Sequence, residues 1–191
     1  MQISSGAMIA RDPFGPRSAG CILTVPNGSH RVWATVVDVS EDVNPELRQA
    51  YLSVAFREGQ AALLSDADEL LVPPVPSFGA YTGTDHGLLA VHDAAVEDAV
   101  LATRADALDR SLWNTDFGLG YANELLDPTS GANIAISGSG WGDGGFPILA
   151  TYDRDDSPVA VHIDFRVIED REPDRPGPLR RLAGRLGFGR R

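Results

Sequence analysis

From Arg31 to Val39 apolar positions fall on both faces of an extended chain. Trp33, Thr35 and Val37 lie on one side, and Val32, Ala34 and Val36 on the other. A period of two with this much valine predicts a strand. Ala50, Leu52, Val54 and Phe56 then alternate with Tyr51, Ser53 and Ala55, which reads as a second strand antiparallel to the first. A helix opening at Pro45-Glu46 is the competing reading of that stretch. Cys21 to Val25 is a short apolar run closed by the turn triplet Pro26-Asn27-Gly28. Three more strands are predicted late in the chain, over 132–137, 146–152 and 159–167, with Asp153 to Pro158 as the hairpin loop joining the last two.

Between these strand clusters the period changes. Val96, Val100, Leu101, Ala105, Leu108 and Leu112 recur at helical spacing, so the pattern predicts a long helix over 93–112. Asp93 would cap it, with Glu97 and Asp98 at its positive end. Residues 61–71 read as a short helix and 121–126 as one further helical turn. Val72-Pro73-Pro74-Val75-Pro76 is an extended connector, since proline at that density fits neither a helix nor a central strand. Residues 1–19 show no period and are expected to form an irregular arm. The fold class predicted is α+β: two clusters of mostly antiparallel strands with one long helix packed on the sheet. One globular domain is expected over 1–170, followed over 171–191 by a proline-rich linker and a basic tail. In the tail Leu179, Leu182 and Leu186 alternate with Arg180, Arg181 and Arg185, the spacing of a short basic amphipathic helix.

Two loops concentrate the candidate chemistry. The first carries five glycines around one tryptophan and one aspartate, Gly138-Ser139-Gly140-Trp141-Gly142-Asp143-Gly144-Gly145, between two predicted strands. Such glycines admit positive φ and let a ligand approach the backbone, and successive amides can line an anion-binding nest. A strand follows the loop, so it matches neither a P-loop nor a dinucleotide-binding turn, both of which open a helix. The second loop crowds Gly83, Thr84, Asp85, His86 and Gly87 between apolar residues. The candidate ligand-binding set is therefore Gly140, Trp141, Gly142, Asp143 and Gly144 with Thr84, Asp85 and His86. Two readings of the glycine loop stand side by side: a ligand site, or a wide hairpin loop whose Trp141 plugs the sheet. Asp143 is expected to be held by loop amides, at the mouth of a pocket shared with Thr84 to Gly87.

Composition narrows the chemistry. All 16 basic residues are arginine, which removes Schiff-base chemistry and any lysine base. The formal net charge is −11, although the last fifteen residues hold five arginines and no acid. An acidic body argues against nucleic acid as a partner. Cys21 is the one cysteine, so an internal disulfide and a multi-cysteine zinc site are excluded, and a cytoplasmic location is expected. Its apolar run makes it a core residue rather than a nucleophile. No apolar run approaches the roughly 20 residues that span a bilayer. The first residues lack the charged start and apolar core of a secretory signal. Asp153, Asp155 and Ser157 have the opening spacing of a calcium loop, but Pro158 breaks it and an acidic turn is predicted. His86 and His92 are spaced like no metal-ligand pair, and no metal or cofactor is implied. His162 and Asp164 share one strand face. Ser139 does not sit in a nucleophile elbow, so no serine triad is read.

Gly131-Ala132-Asn133-Ile134, the Ser139 to Pro147 stretch, Tyr152-Asp153 and Ile163-Asp164-Phe165 together resemble domain-of-unknown-function family 4241, a mainly bacterial family. The likeness spans about residues 120 to 168 and rests on the SGWGDG loop, an aromatic residue with proline, and a last strand ending in Asp-Phe. Upstream, Tyr81 to Thr84 followed by Asp93-Ala94 is similar to the family's DAGTG-type segment, with Tyr81 in place of its first aspartate and Asp85-His86 as an insertion. The resemblance implies a shared domain and site but no activity. Two functions remain open. One is a ligand-binding or protein-interaction module with its site at the 138–145 loop. The other is a small hydrolase or lyase using Asp143 with His162 or His86, and convergence of those side chains would favour it.

Overall fold

The computed structural model describes residues 1–16, 20–40, 43–103 and 120–168. Among these residues thirteen strands are formed: β1 (Gln2–Ile3), β2 (Ala7–Arg11), β3 (Cys21–Thr24), β4 (Gly28–Ser29), β5 (Arg31–Asp38), β6 (Leu47–Ala55), β7 (Leu63–Asp66), β8 (Tyr81–Thr84), β9 (Leu88–Asp93), β10 (Tyr121–Asp127), β11 (Ala132–Gly138), β12 (Gly144–Tyr152) and β13 (Pro158–Asp164). One α-helix, α1 (Glu97–Thr103), is present among the described residues.

Two antiparallel sheets carry the fold. One runs β10-β11-β9-β2-β3, and the other β5-β6-β13-β12-β7, with β8 pairing the start of β12. Strand alternation explains how they pack. Leu89 and Val91 of β9, Met8 and Ala10 of β2, and Ala135 of β11 meet Leu52, Val54, Ile148, Ala150, Val161 and Ile163 of the second sheet in one core. The intervening residues of the first sheet point the other way. Ala90, Ile134 and Ile136 there form a smaller core with Ala122 and with Val100 of α1. The first sheet is thus buried on both faces, which is why the successive residues Ala132 to Ser137 of β11 are all buried.

The structure is mostly antiparallel sheet, as the strand pattern predicts, but the long helix of the α+β expectation is corrected. Leu88 to Asp93 is a strand. The Asp93 carboxylate accepts the Ala95 N–H and starts a 3-10 turn over Ala94–Val96, and α1 begins only at Glu97. The helical stripe mixes residues of these elements with positions 104–112, which lie outside the described residues. The 121–126 stretch is strand β10, pairing with β11 from Tyr121 opposite Ser137. The 61–71 stretch is β7 followed by a 3-10 turn over Ala67–Leu70. The expected irregular arm supplies β2, which sits between β9 and β3. Its five residues give too short a run to show a period, and its partner β9 lies about eighty residues away in sequence. The strand reading of 50–56 holds over the helix at Pro45, with β6 pairing β5 from Ala55 opposite Arg31. Each sheet draws strands from both halves of the chain, so the two sequence clusters are not the two sheets. The linker and tail predicted over 171–191 lie outside the described residues.

Candidate functional site

Strand register brings the two candidate loops together. β8 runs antiparallel to the first residues of β12, placing Thr84 opposite Gly144 and Gly83 opposite Gly145. The Ser139 N–H donates to the Gly87 carbonyl at 3.0 Å. Gly87 turns with a φ of +65°, and a Cβ there would lie 3.6 Å from Gly142 Cα and 3.9 Å from Asp143 Oδ1. Thr84, Asp85, His86 and the tip of the glycine loop therefore share one rim.

The residue that organises this rim is Asp12, which sequence reasoning missed. It follows β2 directly and is 3 % exposed. One carboxylate oxygen accepts the Phe14 and Gly15 N–H groups at 2.8 and 3.1 Å. The other accepts the Thr84 hydroxyl at 2.8 Å, the Asp85 N–H at 3.0 Å and His86 Nδ1 at 2.8 Å. Burial pushes its pKa up, but these bonds from His86, Phe14, Thr84 and Asp85 prevail and hold it below the ordinary carboxylate value. An ionised carboxylate only accepts, so Nδ1 of His86 must carry the proton. Nε2 is left as the second ring nitrogen of a half-exposed side chain. Phe14 meets the imidazole edge-on, with centroids 5.6 Å apart. Thr84 Oγ1 also accepts the His86 N–H at 3.0 Å, which closes the turn. A shallow pocket of about 240 Å³ lies beside this cluster, lined by Asp12, Gly15, Gly83, Thr84, Asp85 and Gly144. Two larger hollows, of about 530 and 330 Å³, lie along β5 and hold no histidine or cysteine among their lining residues.

Other candidates fall differently. Asp143 is exposed, and among the described residues nothing hydrogen-bonds or pairs with its carboxylate. The expectation that it holds the loop through amide bonds is overturned. The loop is held instead by the Ser139 hydroxyl donating to the Gly142 carbonyl at 2.6 Å, and by Gly140. A Cβ at Gly140 would meet Val167 and the Gln49 carbonyl, so only glycine lets the loop lie this close to β6. Trp141 does not plug the sheet. It is 60 % exposed, with the Arg48 guanidinium 5.1 Å from its ring centroid.

His162 does not join Asp143. It pairs opposite Leu149, five residues along β12 from Gly144, or about 16 Å at strand rise. There its ring lies 2.9 Å from Ser53 Oγ, and burial keeps its pKa low. The hydrolase reading built on Asp143 and His162 loses its geometry. His92 is fully buried on the opposite side of its strand from the main core, 3.1 Å from Glu97. Asp153 caps the acidic turn by accepting the Asp155 and Ser157 N–H groups and pairing with Arg57. Cys21 is a buried core thiol, its pKa pushed up by burial to about 11. Among the described residues no three metal-ligating side chains cluster. Nor is any helix among them long and apolar enough to cross a membrane.

Residues 1–163 match the model of one protein family, described as "Protein of unknown function (DUF4241)". The match takes in β2 and Asp12 as well as the glycine loop. No curated protein and no solved structure matches the chain.

Proposed function

We infer that this chain, which belongs to the DUF4241 family, is a ligand-binding module whose site is the rim between the Thr84–Gly87 turn and the Gly140–Gly144 loop. The observation that carries this reading is the buried Asp12 carboxylate gripping His86 Nδ1 at 2.8 Å while the rest of the imidazole stands half-exposed at the rim. A surface histidine held this way has lost its rotamer freedom before any ligand arrives, which is the preorganisation a binding site requires. Asp143 adds an exposed carboxylate beside Gly87, and the pocket along Gly83 and Gly144 gives a ligand access to backbone.

Binding is favoured over self-contained catalysis because the candidate nucleophiles are engaged elsewhere. The Ser139 hydroxyl is donated to Gly142, the Thr84 hydroxyl to Asp12, and the Cys21 thiol is buried in the core. The second reading, general acid–base work by His86 with Asp12 as its orienting carboxylate, is favoured by the same 2.8 Å bond.

The test is a fragment screen read by amide chemical shifts on the intact chain. A binder is expected to shift Thr84 to Gly87 and Gly140 to Gly144 together. Asp143→Asn is expected to abolish those shifts while moving stability by less than about 0.5 kcal/mol, since the carboxylate is exposed. Binders that map only to the β5 hollows would overturn the assignment.

A further inference from the structure

Arg11 is the largest fully buried side chain, with no exposed surface at all, and its charge is met by one residue of α1. Its guanidinium donates to Glu97 Oε1 and to the Gly15 carbonyl, and its Nε donates to the Asp12 carbonyl at 3.0 Å. His92 completes the cluster from β9, with Nε2 3.1 Å from the other Glu97 oxygen. A buried ion pair rarely stabilises more than an apolar replacement of similar volume, because both ions lose their hydration. What an arginine supplies and an apolar side chain does not is a planar fork with fixed donor directions.

Those directions end on the Asp12–Gly15 turn. Two guanidinium nitrogens hold the carbonyls at its two ends, while Asp12 Oδ1 holds the N–H groups of Phe14 and Gly15 from within. With the turn clamped on both sides, Asp12 Oδ2 is left facing Thr84, Asp85 and His86.

We propose that Arg11 and Glu97 are positioning residues, which lock the Asp12 carboxylate onto Nδ1 of His86 so that the rim offers Nε2 as an acceptor to a ligand donating an N–H or O–H. The proposal rests on the rim being the binding site, and it adds the ligand's chemistry at one atom. A histidine side chain free in water prefers the proton on Nε2, so the Nδ1–H form of His86 is a signature of this lock.

The experiment is long-range ¹H–¹⁵N correlation of the histidine rings in the intact chain, at a pH where His86 is neutral. Wild type is expected to show His86 as the Nδ1–H tautomer. Arg11→Lys keeps the charge but loses the fork. It is expected to cut the Nδ1–H population at least twofold while leaving the His162 signals in place. Should Arg11→Lys fail to fold, Glu97→Asp keeps a carboxylate one methylene short of Arg11 and is expected to act in the same direction. An Nε2–H tautomer in wild type, or a folded variant with the His86 ring signals unchanged, overturns the proposal. A fragment screen that finds nothing at the rim would instead sink the binding reading and leave the tautomer result standing.

Discussion

Gly140→Ala is the sharpest probe of how the glycine loop is seated. Gly140 has a φ of +71°, and a Cβ there would lie 2.5 Å from Val167 Cγ2, 2.8 Å from the Gln49 carbonyl oxygen and 3.3 Å from Phe165 Cβ. The backbone conformation costs an alanine about 1 kcal/mol. The contacts add about 1–3 kcal/mol, because the Gln49 carbonyl belongs to β6 and cannot step aside as a side-chain end would. The sum is a loss of about 2–4 kcal/mol. For a chain of this length that lowers Tm by about 4–16 °C. Gly131 is the internal control. Its φ is +73°, but nothing lies within 4 Å of the position a Cβ would take there, so Gly131→Ala bears only the conformational term of about 1 kcal/mol. Urea unfolding followed by far-UV circular dichroism measures both. Adding Val167→Ala to Gly140→Ala removes the 2.5 Å contact but not the carbonyl one, so the double-mutant cycle is expected to recover part of the loss. A Gly140→Ala variant no less stable than Gly131→Ala would refute the reasoning that packing against β6, rather than φ alone, demands glycine at this position.

Two further predictions concern the buried polar groups. Asp12→Ala strands the donors of Phe14, Gly15, Thr84, Asp85 and His86 and is expected to cost about 2–4 kcal/mol in urea unfolding; a cost below about 0.5 kcal/mol would contradict the network. Burial holds the pKa values of His92 and His162 below the ordinary 6.5, so as pH falls the unfolded chain takes up these protons first. Their stabilisation is complete above pH 6.5 and is lost on acidification, so the urea midpoint is expected to be lower at pH 5 than at pH 7, with His92→Gln flattening part of the difference. An equal or higher midpoint at pH 5 would refute this.

Local pattern by itself determined the longer strands β5, β6, β11, β12 and β13. β5 with β6 and β12 with β13 are hairpin pairs of seven to nine residues, long enough for a period of two to declare itself. The glycine loop was equally legible, because its composition is local, and so was the core character of Cys21. Tertiary structure alone decided the rest. β2 has five residues and takes its identity from β9 and β3, while β9 reads as loop and helix start because a strand buried on both faces shows no alternation. Asp12 looked like one acid in an irregular arm, since its role depends on Thr84, Asp85 and His86, all more than seventy positions away. Gly140 and Asp143 sit three residues apart in one motif, yet one is fixed by contact with β6 and the other is exposed at the rim. Periodicity records which face of an element is buried. It carries no record of which distant backbone arrives to bury it, and that arrival is what placed Asp12 on Nδ1 of His86.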